Sequence, residues 1–247
     1  MQPEFRVFED SAGLSRAAAK LFVEAARGAV AARGRFAVSR AGGNTPKPAY
    51  ELLASASFCG RVDWAKVHFF WGDERCVPPD HAKSNYRMTR EALLDHVPLP
   101  AGNIHRIRGE LAPPAGAADC EADLRKFFPD GRTRFDLIFL GLGDNAHTAS
   151  LWPGTSVVNE TKRLAAEVYV REQDLWRVTL TAPALNAGRV VAFLVAGADK
   201  AEAVRQVTSG PRDVDRFPAQ LILPSDGKLI WLLDRPAAAL LRSGAAG

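Results

Sequence analysis

The apolar residues of this chain fall into two alternating patterns. Short, mostly apolar runs, "RFAVS", "KVHFFW", "FDLIFLG", "VVAFLVAG" and "KLIWLLD", are separated by longer segments in which apolar positions return every three or four residues. The runs have the character of strands buried on both faces, and the segments that of amphipathic helices. Residues 11–33 place Leu14, Ala18, Leu21, Phe22, Ala25 and Val30 on one helical face. Residues 84–97 open on a capping serine, Ser84, and keep Tyr86, Leu93 and Leu94 for burial. A helix also follows the Gly-Gly turn at 42–43, and "DKAEAVRQV" supplies one between the last two runs. With "WRVTLT" (176–181) as one more run, six strands are expected in an α/β fold: a doubly wound, mostly parallel sheet with helices on both faces. Residues 1–247 read as one domain, with a small accessory subdomain around 80–130 as an open alternative. The Pro- and Ala-rich stretches at 110–119 and 209–218 read as surface loops.

Composition narrows the class without changing this picture. With 247 residues and 47% hydrophobic content, the chain can bury a full core. The net charge of +4 and pI near 9.1 rest on scattered basic residues with no long cationic run, which argues against a nucleic-acid partner and suits small anionic ligands. Cys59, Cys76 and Cys120 are far apart and in no Cys-x-x-Cys spacing, so reduced thiols are expected rather than disulfides or a zinc site. No signal-peptide pattern and no apolar stretch of membrane-spanning length occurs, which points to the cytoplasm and to no membrane partner. Nothing in the pattern specifies an oligomeric state.

Three loops at expected strand ends carry the candidate chemistry, since ligands of open parallel sheets bind beyond the carboxyl ends of the strands. In "SRAGGNTPKPAY", Gly42 and Gly43 permit close backbone approach, Thr45 offers a hydroxyl and an amide, and a proline can start the helix. Those features suit a phosphate, although a plain tight turn and cap reads equally well. The loop is neither a Walker loop nor a Gly-x-Gly-x-x-Gly fingerprint. In "WGDERCVPPDHAKSNY", Asp73 and Arg75 stand on alternate residues directly after a buried aromatic run. In "GLGDNAHTAS", Gly141 and Gly143 let the backbone turn and leave His147 at the mouth of the sheet, among Asp144, Asn145, Thr148 and Ser150. No Gly-x-Ser-x-Gly elbow and no metal-ligand spacing is present.

These loops, in this order, resemble the 6-phosphogluconolactonase family. The matching blocks are "GGNTP", "WGDERCVPPDHAKSNYRMTREALL", "NIHRI", "FDLIFLGLGDNAHTASLWPGT", "RVTLTAPALNAGRVVAFLVAGADKAEAV" and "PAQLIL". The resemblance spans nearly the whole chain. It implies hydrolysis of 6-phosphogluconolactone to 6-phosphogluconate in the oxidative pentose phosphate pathway, a small sugar-phosphate lactone as the partner and no cofactor. It also implies His147 as the general base, with Asp73 and Asn145 beside it. The substrate phosphate is then anchored by Gly42, Gly43, Thr45, Arg75, Arg177 and Lys200. Glucosamine-6-phosphate deaminases share the fold, but they carry Asp-Glu-Tyr where this chain has Asp73, Glu74 and Arg75. A non-catalytic sugar-phosphate sensor is a third reading, for which no DNA-binding segment is available. One departure stands out: the family's Asp-Gly-His is here Asn145-Ala146-His147, so a neutral amide replaces the carboxylate. With no carboxylate alongside, His147 is expected to titrate near the ordinary histidine value of about 6.5, unless Asp144 compensates.

Overall fold

The computed structural model describes residues 2–241. In chain order the elements are β1 (Glu4–Phe8), α1 (Ser11–Arg33), β2 (Phe36–Arg40), α2 (Lys47–Ala54), β3 (Val67–Trp71), β4 (Asp73–Arg75), α3 (Asn85–Ala92) and β5 (Ile104–His105). They continue with α4 (Pro113–Phe127), β6 (Leu137–Leu140), β7 (Ala165–Val170), β8 (Leu175–Leu180), α5 (Ala182–Asn186), β9 (Val190–Val195), α6 (Ala201–Ser209) and β10 (Lys228–Asp234). Seven strands form a main sheet in the order β1-β10-β9-β6-β2-β3-β5, every pairing parallel. β4, β8 and β7 form a second, antiparallel sheet.

The helices form where the pattern places apolar residues three and four apart. In α1, Asp10 caps the amino end by accepting from the Gly13 amide at 2.7 Å, and Gly34 ends the helix in the left-handed region. Its buried stripe runs through Leu14, Ala18, Phe22, Ala26 and Ala29, while Leu21, Ala25 and Val30 flank it half-buried. Phe22 meets Phe36 edge-to-face at 5.1 Å; burying such a ring contributes about 1.5–3 kcal/mol.

The expected α/β class and largely parallel sheet are present, but the main sheet also takes in β1 and β5, which were not among the expected strands, and two other readings change. The run at 176–181 is β8, which joins the antiparallel sheet rather than the main one. Neither of its partners reads as a buried run, because β4 is three charged residues and β7 mixes charged and apolar ones. The stretch expected as a loop at 110–119 becomes helix from Pro113 onward, because a proline at the first helical position costs no hydrogen bond.

Chain direction reverses its march across the main sheet between β2 and β6. From β2 the order proceeds outward through β3 and β5, and from β6 through β9 and β10. Ligand crevices form beyond the carboxyl ends of strands at such a switch point.

Candidate active site

At the switch point the three chemical loops meet. Gly42, Gly43, Thr45, Asp73, Arg75, His147, Arg177 and Lys200 line one cavity of about 450 Å³. Of the residues expected from sequence, Asn145 alone does not line it; it stands behind the imidazole instead. The loop after β2 contributes Gly42 to Pro46, whose Gly42, Gly43, Asn44 and Thr45 amides donate no hydrogen bond among the described residues. Free amides ahead of α2 are suitable donors to an anion.

A pivot at Gly72 brings the second loop in. Its amide donates to the Arg40 carbonyl at 3.0 Å and its own carbonyl accepts from the Leu180 amide at 2.8 Å, so the chain passes from β3 into β4 between the two sheets. Asp73, just beyond the pivot, is buried. Its Oδ2 accepts from Ser150 Oγ at 2.7 Å and from Arg177 Nη1 at 3.3 Å, and its Oδ1 from Asn85 Nδ2 at 3.3 Å. Arg177 also donates to Ser150 Oγ at 3.2 Å and to Gln173 Oε1, yet burial still pulls its pKa down. Arg75 and Arg177 each keep a buried Nε–H that makes no hydrogen bond among the described residues. Glu74 has turned away from the cavity to cap α3, accepting the Asn85 and Tyr86 amides at 2.7 Å each.

The loop after β6 presents His147. Gly143 donates to the His147 carbonyl at 2.9 Å, Thr148 Oγ1 to the Gly141 carbonyl at 2.8 Å, and the Ala219 amide to the Ala146 carbonyl at 3.0 Å. Ala146 and Ala149 take positive φ of 61° and 47°, a left-handed conformation that alanine adopts only under constraint, and they bracket His147. The ring stacks on Trp152 with centroids 3.8 Å apart, and the Arg177 guanidinium lies 5.4 Å from the same indole.

The protonation pattern of the imidazole follows from Asn145. Its Oδ1 lies 2.5 Å from His147 Nδ1 and 3.2 Å from the His147 backbone nitrogen. A backbone N–H can only donate, so the atom facing both must be the amide oxygen, and Nδ1 carries the ring proton. Nε2 is left with the lone pair. Asp144 is exposed and spends an oxygen on the Asn145 amide, without reaching the ring. Burial first, then the positive charge of Arg177, pulls the His147 pKa down to about 4; Asp73 and Asp144 oppose this weakly, and Lys200 adds to it. The expected value near 6.5 is therefore too high, because it left out desolvation.

Several residues of the site escaped the sequence reading. Asn85 lines the cavity directly behind Ser84, whose capping role was legible. Its Oδ1 would lie 1.9 Å from a Cβ at Gly42, so any side chain there would push the Asn85 carboxamide off Asp73. Arg40, wholly buried against Tyr50 and Trp71, donates to the Asn85 carbonyl at 3.0 Å and holds it in place. Ser150 appeared to be a companion of His147 but belongs to Asp73.

The family model described as glucosamine-6-phosphate isomerases/6-phosphogluconolactonase matches residues 9–231. The 6-phosphogluconolactonase of Synechocystis sp. is 43% identical over 225 residues, 87% of this chain and 88% of that protein. That of Nostoc sp. is 40% identical over 246 residues, 98% of this chain and 99% of its own length. The solved structure of the 6-phosphogluconolactonase from Trypanosoma brucei is similar with a TM-score of 0.85 at 27% identity, covering 98% of this chain and 99% of that one. With matches of this extent on a site of this make-up, the chain belongs to the glucosamine-6-phosphate isomerase/6-phosphogluconolactonase family.

Proposed function

We infer that this chain is a hydrolase that opens 6-phosphogluconolactone to 6-phosphogluconate, with His147 as its general base. The observation that carries the mechanism is the unprotonated Nε2 of a half-buried histidine whose other nitrogen is tied to Asn145. Nε2 takes a proton from water as the oxygen attacks the lactone carbonyl carbon. The tetrahedral oxyanion collapses, the bond from carbon to ring oxygen breaks, and Nε2 returns the proton to the departing oxygen. One nitrogen serves both transfers.

Arg177 stands closest in character to an oxyanion partner. Its guanidinium lies against the same Trp152 indole as His147, and its buried Nε–H has no partner among the described residues. Asp73, held on both oxygens, orients substrate hydroxyls rather than attacking the ester. The substrate phosphate lies against the Gly42, Gly43 and Thr45 loop, with Arg75 and Lys200 supplying positive charge. Anchoring the distant phosphate turns binding energy into alignment of the carbonyl over Nε2.

The test is a coupled assay that follows 6-phosphogluconate formation against the spontaneous rate, with ammonia release from glucosamine 6-phosphate measured in parallel. Lactone turnover without ammonia release is expected. His147→Ala should lower kcat by about a hundredfold or more while 6-phosphogluconate still binds. Wild-type turnover in that variant would overturn the mechanism, and ammonia release would overturn the substrate.

A further inference from the structure

A second cavity, of about 650 Å³, opens at the β5 edge of the main sheet. It reaches toward the amino ends of the strands, since Arg35 immediately precedes β2 and His68 is the second residue of β3. The lactone cavity lies beyond the carboxyl ends of the same strands. The length of β2 separates those ends by about 15 Å at the usual rise per residue.

The wall of this cavity holds a chain of polarised side chains that the reaction does not use. The Asp123 carboxylate accepts from His105 Nδ1 at 2.9 Å, which places the proton of the neutral ring there and the lone pair on Nε2. His68 Nδ1, 3.2 Å from that Nε2, must then donate, leaving His68 Nε2 unprotonated. Stacking of His105 on Phe70, with centroids 4.1 Å apart and planes 4° from parallel, holds the plane of the imidazole between Asp123 and His68. Burial, then His105 and Arg35, pulls the His68 pKa down to about 4, so the His68 ring is neutral near neutral pH.

Around these imidazoles lie four cationic side chains in two states. Arg106 is committed to Glu110 by two bonds of 2.8 and 2.6 Å, and Arg108 to Asp119 at 3.3 Å. Arg35, stacked 4.1 Å over Phe127, and Lys126 beside it have no carboxylate partner among the described residues. The free charge attracts an anion, whereas the lone pair on His68 Nε2 repels bare anionic oxygen and calls for a donor. A ligand that satisfies both carries negative charge and an O–H group close together.

We propose that this cavity binds a small hydroxylated phosphate, either a phosphorylated polyol or hydrogen phosphate. Its phosphoryl oxygens lie on Arg35 and Lys126, and its hydroxyl donates to His68 Nε2. Sulfate matches the charge without the proton, and so separates recognition from simple attraction.

The experiment titrates the protein, at constant ionic strength near neutral pH, with glycerol 3-phosphate, inorganic phosphate and sulfate. The imidazole nitrogen resonances of His68 and His105 are followed, with assignment by His68→Gln. A saturable shift with at least one phosphate is expected, and sulfate should bind about tenfold more weakly or worse. Saturation by inorganic phosphate alone identifies hydrogen phosphate as the ligand; saturation by both identifies the shared phosphoryl group. Arg35→Ala should weaken binding about tenfold. The exposed Lys126→Ala, which disturbs no packing, should weaken it about threefold. Lys200→Ala should leave these shifts unchanged, and Arg35→Ala should leave lactone turnover unchanged. The proposal is overturned by the absence of saturation, by an equal response to sulfate, or by loss of the shift in Lys200→Ala, which would place the ligand in the lactone cavity instead.

Discussion

Because Asn145 offers His147 an amide oxygen where a carboxylate would carry full charge, desolvation governs the ring, and its pKa falls to about 4. A base must be neutral to work, so kcat should hold down to mildly acidic pH and fall only as pH drops through about 4. Asn145→Asp places a negative charge on Nδ1, favours the imidazolium and should move that acid limb to higher pH. The pH profiles of kcat for the two forms decide this; coincident limbs would mean that the Asn145 contact does not set the proton affinity. Asp144→Asn should shift the limb only slightly the other way, since Asp144 acts through space on the ring. Lys200 tests a different interaction. Among the described residues its ammonium has only the exposed Asp199 as a partner, at 3.1 Å, which leaves it available to a substrate phosphate. Lys200→Ala should cost about ten- to a hundredfold in kcat/KM for the phosphorylated lactone and much less for the unphosphorylated one. Equal losses on both substrates would make Lys200 a structural residue.

Among the elements, the loop between β6 and His147 is the most tightly specified. A Cβ at Gly143 would lie 2.0 Å from His147 Nδ1 and 2.9 Å from Asn145 Oδ1, although the backbone there needs no positive φ. Gly143→Ala should therefore fold with little loss of stability and lose most of its kcat, because the new methyl group drives the imidazole off Asn145. Thermal unfolding measured beside turnover separates the two effects. The same loop shows what was legible in the chain. Strand, paired glycines and histidine lie within a few residues, so local pattern was enough to find them. The strands β2, β3, β6, β9 and β10 and the helix α1 were equally readable, being continuous in apolar character or regular in period, whereas β1 mixes charged with apolar residues and β5 is only two residues long, so neither stood out. The roles of Asn85 and Ser150 were not legible, for they meet Asp73 only once α3 and β8 lie against β4, and nothing in the local pattern singled out Trp152 or Gln173, although their contacts with His147 and Arg177 are close in sequence. β4 itself is three residues, all charged, whose strand character comes from its neighbour in the sheet.

Across the whole molecule, two half-buried histidines should make stability sensitive to mild acid. His147 and His68 both have pKa values lowered to about 4, whereas in the unfolded chain each titrates near the ordinary histidine value of 6.5. Between those values the unfolded state takes up protons that the native state refuses, so stability is complete above the upper value and is lost as pH falls toward the lower. Each ring contributes a slope of at most about 1.4 kcal/mol per pH unit. His68 supplies the smaller share, because solvent reaches it. Melting temperature against pH should flatten across this window in His147→Gln, and further in the double variant with His68→Gln; unchanged slopes would show that carboxylates elsewhere dominate. The second sheet bears on how the molecule reaches its native state at all. The bond from Arg177 to Asp73 joins residues 104 apart in sequence, and β4 has no partner until β8 arrives. Most main-sheet pairings can form from shorter loops, while the pairing that completes the cavity closes one of the longest. Only contacts such as β1 with β10, Glu4 against Ile230, span more chain, so the power to hydrolyse an ester should arrive late in folding, well after the local pairings of the α/β core.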